Sequence, residues 1–547
     1  MTGPVIPSLA QIYSDYFLIG CIFNAKNMED ERFGLIRRQF NCLTADNAMK
    51  PISLQTSPGV FSYQAIDGMI ETVKKAGIAV HGHTLAWHQQ SPPWLNTDEQ
   101  GQPLGREQAE ENLTAYVKNA AGHFRGRVVS WDVLNEAIRD NPPNPPDWRN
   151  CMRPCPWLNA FGNGAGASRH ASDYVEMLFR TAREADPRAK LYYNDYNLND
   201  HKKASAVIAM VSELNEKYLA EGHDRLLIEG VGMQGHYNLA TRPEDVEASI
   251  RRFIELGVAI SISELDITVS GVLPGGMTGS QEERQAALYA RLFEIFKRYA
   301  EYIERVTFWG LDDGTSWRAF QFPVLFHADL SPKQALYAVA DPEGYLADHP
   351  DTETVGNMRG VARYGKPAIG GETDPLWRTA PALPVNQMLQ AWQTATGTAR
   401  VLWDETHLYV SVDVKDPVLD GSALKDQERD SVEVYVYEAR QRLEMMRYRV
   451  GFDNRVSWEP APEGFLSATK RTPEGYRVEM KLPLKSRFEP AKFVGFDVRI
   501  NDARDGARTG VAAWNDTSAD PWQDATRWGE IVMLEAEARP DHSPEEG

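Results

Sequence analysis

The chain has 547 residues, room for two or more domains at roughly 100–200 residues each. Its 77 acidic and 58 basic side chains give a formal charge of −19, a balance that argues against gripping nucleic-acid phosphates. Apolar residues at 42% and charged ones at 25% exclude wholesale disorder, and apolar runs such as FLIGCIF fall far short of the ~20 residues of a membrane span.

The 14 Trp and 21 Tyr supply flat faces suited either to stacking on sugars and bases or to filling a core. Four Cys exclude a disulfide framework. Cys21 and Cys42 fall on neighbouring predicted strands, while Cys151 and Cys155 are spaced for a local staple in a Pro-rich loop. The opening MTGPVIPSLAQIYSDYF lacks the charged-then-apolar pattern of an export signal. Location stays open between a cytoplasmic chain and a secreted or periplasmic one whose signal was removed.

Short apolar runs predict strands near 17–24, 40–47, 78–87, 127–135, 190–195, 226–234, 258–264 and 305–310. Amphipathic helices are expected between most of them, at 62–76, 106–123, 172–185, 202–220, 243–255 and 281–300. Eight strands that feed helices are the count of a (β/α)₈ TIM barrel, and no Gly-rich phosphate loop follows the first strand to favour an open doubly wound sheet. Around 341–371 the pattern dissolves into polar residues, and beyond it short alternating strands such as SVEVYVYEA and GYRVEMKLPL suggest an all-β sandwich. The expected organisation is an α/β barrel over 1–343, a linker over 344–365, a sandwich over 366–537 and an acidic tail over 538–547.

Barrel active sites lie at the C-terminal ends of the strands. Strand 2 ends in DNAMK (Asp46, Asn47, Lys50), strand 3 in HGHTLAWH (His81, His83, Trp87, His88) and strand 4 in WDVLNE (Asn135, Glu136). Strand 6 supplies Gln234 and His236, strand 7 supplies Glu264 and Asp266 in ISELD, and strand 8 supplies Trp309 and Trp317. Two carboxylates on strands 4 and 7 are what glycosidic cleavage requires: one protonated to assist the leaving oxygen, the other ionised to attack the anomeric carbon. His236 is placed to orient Glu264, and the Trp rings form walls for pyranose stacking. The competing chemistry is a metal site at His81-x-His83, but those positions share a strand face with Trp87, so ligand and stacking roles conflict.

Together WDVLNE, ISELD, GHTLAWH, LYYNDYN and FWGLDDGTSW resemble glycoside hydrolase family 10, the (β/α)₈ endo-β-1,4-xylanases, over about residues 10–340. The resemblance implies Glu136 as general acid/base, Glu264 as nucleophile, and Asn47, Lys50, His83, Trp87, Asn135, Gln234, His236, Trp309 and Trp317 as sugar contacts. Two departures stand out: Asp46 where the family usually has Glu, and a longer loop over 140–168 after Glu136, either shaping the leaving-group side or decorating the surface.

The second domain resembles carbohydrate-binding module family 9 through RVLWDETHLYVSVDVKDPVLD, DSVEVYVYE and GVAAWNDTSADPW. That implies Trp514 as one face of a two-Trp sugar clamp with Glu433 and Arg449 as polar partners. KDQER puts Gln427 where the second ring is expected, so tight clamping is not expected. The family's structural calcium directs attention to Asp416 and Asp420. The implied function is a retaining endo-β-1,4-xylanase acting on xylan or xylo-oligosaccharide, with no catalytic cofactor or metal, no nucleic-acid or membrane partner, and a monomeric state. The alternatives are a xylo-oligosaccharide trimmer narrowed by the 140–168 loop, or a non-catalytic xylan-binding protein.

Overall fold

The computed structural model describes residues 6–163, 170–269, 276–352, 358–370, 374–390, 392–438, 445–457 and 462–535. The chain divides into two compact units, Met1–Val355 and Gly356–Gly547.

In the first unit eight parallel strands close into a barrel: β1 (Leu18–Phe23), β2 (Cys42–Ala45), β3 (Ala79–Trp87), β4 (Ser130–Asn135), β5 (Lys190–Asp195), β6 (Gly230–Met233), β7 (Ala259–Thr268) and β8 (Ile303–Phe308). Each pairs with the next, and β8 returns to β1 with Ile19 opposite Val306 and Cys21 opposite Phe308. The strands read as near-continuous apolar runs because both faces are covered. Helices between them begin on side-chain caps where the sequence supplies them: Asp200 accepts the amides of Lys202 and Lys203 ahead of helix His201–Ala220, and Thr278 with Gln281 forms a capping box ahead of Gly279–Arg298.

Strand β7 runs four residues past the expected end at 264. A short strand, His236–Asn238, pairs with that extension and sets His236 opposite Asp266. The backbone ladder also continues into the mouth, where the Glu136 amide donates to Asn194 O (2.9 Å), Gln234 to Asp195 O (3.0 Å) and Glu264 to Gln234 O (2.7 Å). The mouth residues therefore sit on the rigid scaffold rather than on free loops.

The stretch 344–365, expected as a linker, holds most of helix Pro342–Asp348, which Asp341 caps through Gly344 N, and strand Arg359–Tyr364 of the second unit. That second unit is β-rich. Strand Phe493–Arg504 pairs along one edge with Gly529–Leu534 and Ala507–Ala513, and along the other with Ser431–Tyr437. Alternate residues of facing layers, Val410, Val412, Val414 and Val478 with Val432, Val434, Val498 and Ile500, meet in one core.

The Cys151–Cys155 staple does not form: all four Cys are free and buried. Cys151 Sγ donates to Asn144 O at 3.2 Å, and Cys155 Sγ lies 4.0 Å from Tyr174 Oη.

Candidate active site

Glu136 lies buried directly after β4 and Glu264 lies buried within β7. Glu136 Oε1 accepts from Gln234 Nε2 (2.9 Å) and Asn135 Nδ2 (3.1 Å), and its Oε2 accepts from Trp87 Nε1 (2.8 Å). Glu264 Oε1 accepts from Asn194 Nδ2 (2.8 Å), and Oε2 lies 3.2 Å from His236 Nε2. Asn135 Oδ1 accepts from both Asn194 (2.9 Å) and Gln234 (3.2 Å), so three amides tie the two carboxylates into one network.

Burial raises the Glu136 pKa; Asp195 and Glu264 push the same way, against the Gln234 hydrogen bond and the Arg153 charge. Burial opposes charge on His236 as well, yet Asp266, 3.0 Å from Nδ1, and Glu264 on the other nitrogen prevail and raise its pKa. His236 thus faces Glu264 with its charged form favoured. Asp266 in turn accepts from Trp317 Nε1 (2.9 Å) and pairs with Arg318 (3.4 Å), which fixes the Trp317 ring. His83 Nδ1 is 2.9 Å from Asp132 and 4.0 Å from Glu264 Oε1, and its ring stands edge-on to Trp309 at 5.2 Å.

His81 does not point a free nitrogen at a ligand: Nδ1 lies 2.7 Å from Ser130 Oγ and Nε2 lies 2.9 Å from Asp132. On the strand-2 side, Lys50 Nζ donates to Asn47 Oδ1 (3.0 Å) and Gln90 Oε1 (2.9 Å) and sits 5.1 Å from the Trp87 ring centre. Burial lowers the Lys50 pKa against the pull of Asp46, Glu264 and Glu136. Asn47 is exposed beside Lys50.

Sequence reasoning missed Asn194, Gln90 and the supports Asp132 and Arg318. The signal for Asn194 was in LYYNDYN, a polar residue closing an apolar strand. The loop after Glu136 is tied down: Trp148 Nε1 and Arg149 Nη1 donate to Glu213 of helix His201–Ala220 (2.9 and 2.8 Å), and Asn141 accepts from Lys202 Nζ (3.0 Å). Residues 164–168 of that loop lie outside the described residues.

In the second unit Trp514 is not a sugar platform. It is 1% exposed and packs edge-on to Phe496, and a Cβ on Gly529 or Gly360 would lie 2.4 or 3.4 Å from its ring. Gly529, on a strand paired with that of Gly360, leaves the space the indole occupies. Glu433 and Arg449 are likewise buried and pair with each other (2.6 Å), with Asn501 donating to Glu433 at 3.0 Å. Burial would raise the Glu433 pKa, but Arg449 and Tyr435 bring it down to about 2. On the same face Trp522 is 39% exposed, with the Arg447 guanidinium 5.7 Å from its ring. Asp416 joins Asp430 and Asp502 in a buried group whose ligand oxygens lie within 4.8 Å of one another, and Asp416 Oδ2 has no hydrogen-bond partner. Asp420 is spent on a turn, accepting from Ser422 N and Gly506 N at 2.7 Å.

Residues 8–342 match the model of glycosyl hydrolase family 10, and residues 369–536 match that of the carbohydrate family 9 binding domain-like group. Endo-1,4-beta-xylanase A of Thermotoga maritima is 28% identical over 97% of this chain, which spans 65% of that protein's length. The beta-1,4-xylanase of Dictyoglomus thermophilum is 35% identical over 62% of this chain and 91% of its own. Among solved structures, an intracellular xylanase from Thermoanaerobacterium saccharolyticum is 32% identical with a TM-score of 0.54, covering 62% of this chain and 99% of that one. Two glutamate-to-alanine mutants of that xylanase are complexed with xylotriose and xylotetraose. A family 10 structure from Paenibacillus barcinonensis is 29% identical with a TM-score of 0.56, covering 62% of this chain and 99% of its own. With the match covering more than half of its length and the paired carboxylates on its fourth and seventh strands, the chain belongs to glycosyl hydrolase family 10.

Proposed function

We propose that the chain is a retaining endo-β-1,4-xylanase that cleaves xylan or xylo-oligosaccharides by double displacement. The observation that carries this reading is the unequal setting of two linked carboxylates. Glu136 is held towards its protonated form by burial and Asp195, while Glu264 faces the rings of His236 and His83. Glu264 attacks the anomeric carbon as the bond to the leaving sugar breaks, and the Glu136 proton passes to the departing oxygen. Water then attacks the glycosyl ester while Glu136 takes its proton, and Glu264 is released. Lys50, Asn47 and Gln90 offer polar groups to sugar hydroxyls, and Trp87, Trp309 and Trp317 offer faces. The xylanase names of the relatives and the oligosaccharides bound to the Thermoanaerobacterium protein support the choice of substrate.

The test is a time course of products from soluble arabinoxylan, resolved by chain length, with the first-formed anomer read by NMR. Early mid-length fragments of β configuration are expected. An α product overturns the mechanism, and xylobiose released slowly from chain ends makes the protein an oligosaccharide trimmer instead.

For the second unit we propose sugar contact through Trp522 and Arg447, and a calcium-type cation held by Asp416, Asp430 and Asp502. Three carboxylates, one with an unpartnered buried oxygen, suit a hard cation. Such an ion ties the 416–430 segment to strand Phe493–Arg504.

A further inference from the structure

The backbone of Glu136 is left-handed, at φ +58°, a conformation unfavourable for a residue with a Cβ and kept only where its surroundings over-determine it. The surroundings here are one side chain on each flank. On one flank Arg153 takes three consecutive carbonyls: its Nε donates to Glu136 O (3.1 Å), its backbone amide to Ala137 O (2.7 Å) and its Nη2 to Ile138 O (3.3 Å). On the other flank Tyr193 Oη accepts from the amides of Ala137 (3.0 Å) and Ile138 (3.1 Å).

We propose that Arg153 is a positioning residue for the acid/base, clamping the turn that aims the Glu136 carboxyl and holding a fixed positive charge behind it. The inference rests on Glu136 acting as acid/base.

The charge is committed on its far side. Arg153 Nη2 donates to Tyr196 Oη (2.5 Å) and lies 3.8 Å from Asp140. Lys203 Nζ bridges Asp140 (3.1 Å) and Asp195 (2.9 Å). Two cations and two carboxylates thus balance in a cluster directly behind the acid/base. Of that cluster Asp195, on β5, also acts on Glu136, and the other charged neighbours of the acid/base are Glu264 on β7 and Lys50 after β2. His88, after β3, is kept neutral by burial and by Arg153 and Lys203. Of the two cations nearest Glu136, Lys50 serves the open cleft, whereas Arg153 reaches the residue through its backbone.

Two consequences are separable. Removing the charge raises the proton affinity of Glu136, so the alkaline limb of kcat/KM moves to higher pH. Loosening the clamp misaims the carboxyl, which slows substrates whose leaving group needs a proton and spares those whose leaving group does not.

The experiment compares wild type, Arg153→Met, Arg153→Lys and Arg149→Gln on xylan and on 2,4-dinitrophenyl xylobioside, with melting curves for each. Arg149→Gln cuts the same loop's ion pair to Glu213 and leaves the Arg153 bonds in place. In Arg153→Met the alkaline limb on xylan is expected to rise by roughly half to one pH unit. Its kcat/KM on xylan falls roughly 10- to 100-fold, with a far smaller loss on the dinitrophenyl glycoside. Arg153→Lys keeps the limb and shows a milder form of the substrate split, and Arg149→Gln shows neither effect. A folded Arg153→Met with an unmoved limb and equal losses on both substrates overturns the proposal. If Arg153→Met does not fold, Arg153→Lys carries the test, and equal losses there overturn it. A wild type inactive on both substrates instead overturns the reading of Glu136 itself.

Discussion

The side-chain amide of Asn194 donates to Glu264 Oε1 at 2.8 Å while its second hydrogen reaches Asn135 Oδ1 at 2.9 Å. Ser263 Oγ donates to Asn194 Oδ1 at 2.5 Å, which fixes which end of the amide faces the carboxylate. The proposed nucleophile is thereby held by a strand that carries neither of the two paired glutamates. Asn194→Ala is expected to lower kcat on an aryl xylobioside on the order of 10²-fold with KM little changed. Asn194→Asp, which sets a like charge beside Glu264, is expected to lose more. Steady-state kinetics beside melting curves checks both.

Asp195 acts on Glu136 in the opposite sense to Arg153. Its charge helps raise the Glu136 pKa, so Asp195→Asn lets that proton leave at lower pH. In the proposed mechanism the group is needed protonated for the first step, and its protonated fraction is then lost sooner as pH rises. The alkaline limb of kcat/KM on xylan is expected to move to lower pH; a limb that stays or rises refutes this account.

Two indoles of the second unit, Trp514 and Trp522, separate by role. Trp514→Ala opens a cavity in a core, and its cost is expected to be about 3–5 kcal/mol, read as a lower melting temperature of that unit. Trp522→Ala removes an exposed ring and is expected to leave melting unchanged while weakening retention on xylan in affinity electrophoresis.

Calcium binding by the aspartate group is expected to depend on pH. Burial, with Asp416 and Asp502 adding to it, pushes the Asp430 pKa up to about 7. A cation must displace that proton, so affinity rises as pH passes upward through that value. Calorimetric titration should give tighter binding at pH 8 than at pH 5.5, and Asp430→Asn should flatten the difference. The proton's contribution to stability is fully present below the unfolded-state pKa and is lost as pH rises to about 7 in the absence of the ion.

The barrel was legible because parallel strands buried on both faces leave unbroken apolar runs, and the mouth because polar residues end those runs. What escaped depends on partners distant in sequence. Trp514 sits in a strand-end motif where an indole can face either way; Gly529, in another strand, leaves the space into which it turns. The extension of β7 to Thr268 depends on pairing with His236–Asn238, which no local periodicity announces. The linker expected over 344–365 reads as polar coil because a seven-residue helix and a six-residue strand carry little pattern. Arg153, separated from Glu136 by a Pro-rich loop, meets the Glu136 turn only when the loop folds back.

All four thiols lie in the first unit and all are buried, with burial pushing each thiol pKa upward. The second unit has none. A thiol-modifying dye is therefore silent towards the native molecule and reacts only as the barrel opens. Its labelling rate becomes a clock for one unit alone, while a signal shared by both, such as circular dichroism, reports the sum. The difference between the two traces reads out the β-rich unit's unfolding without cutting the chain.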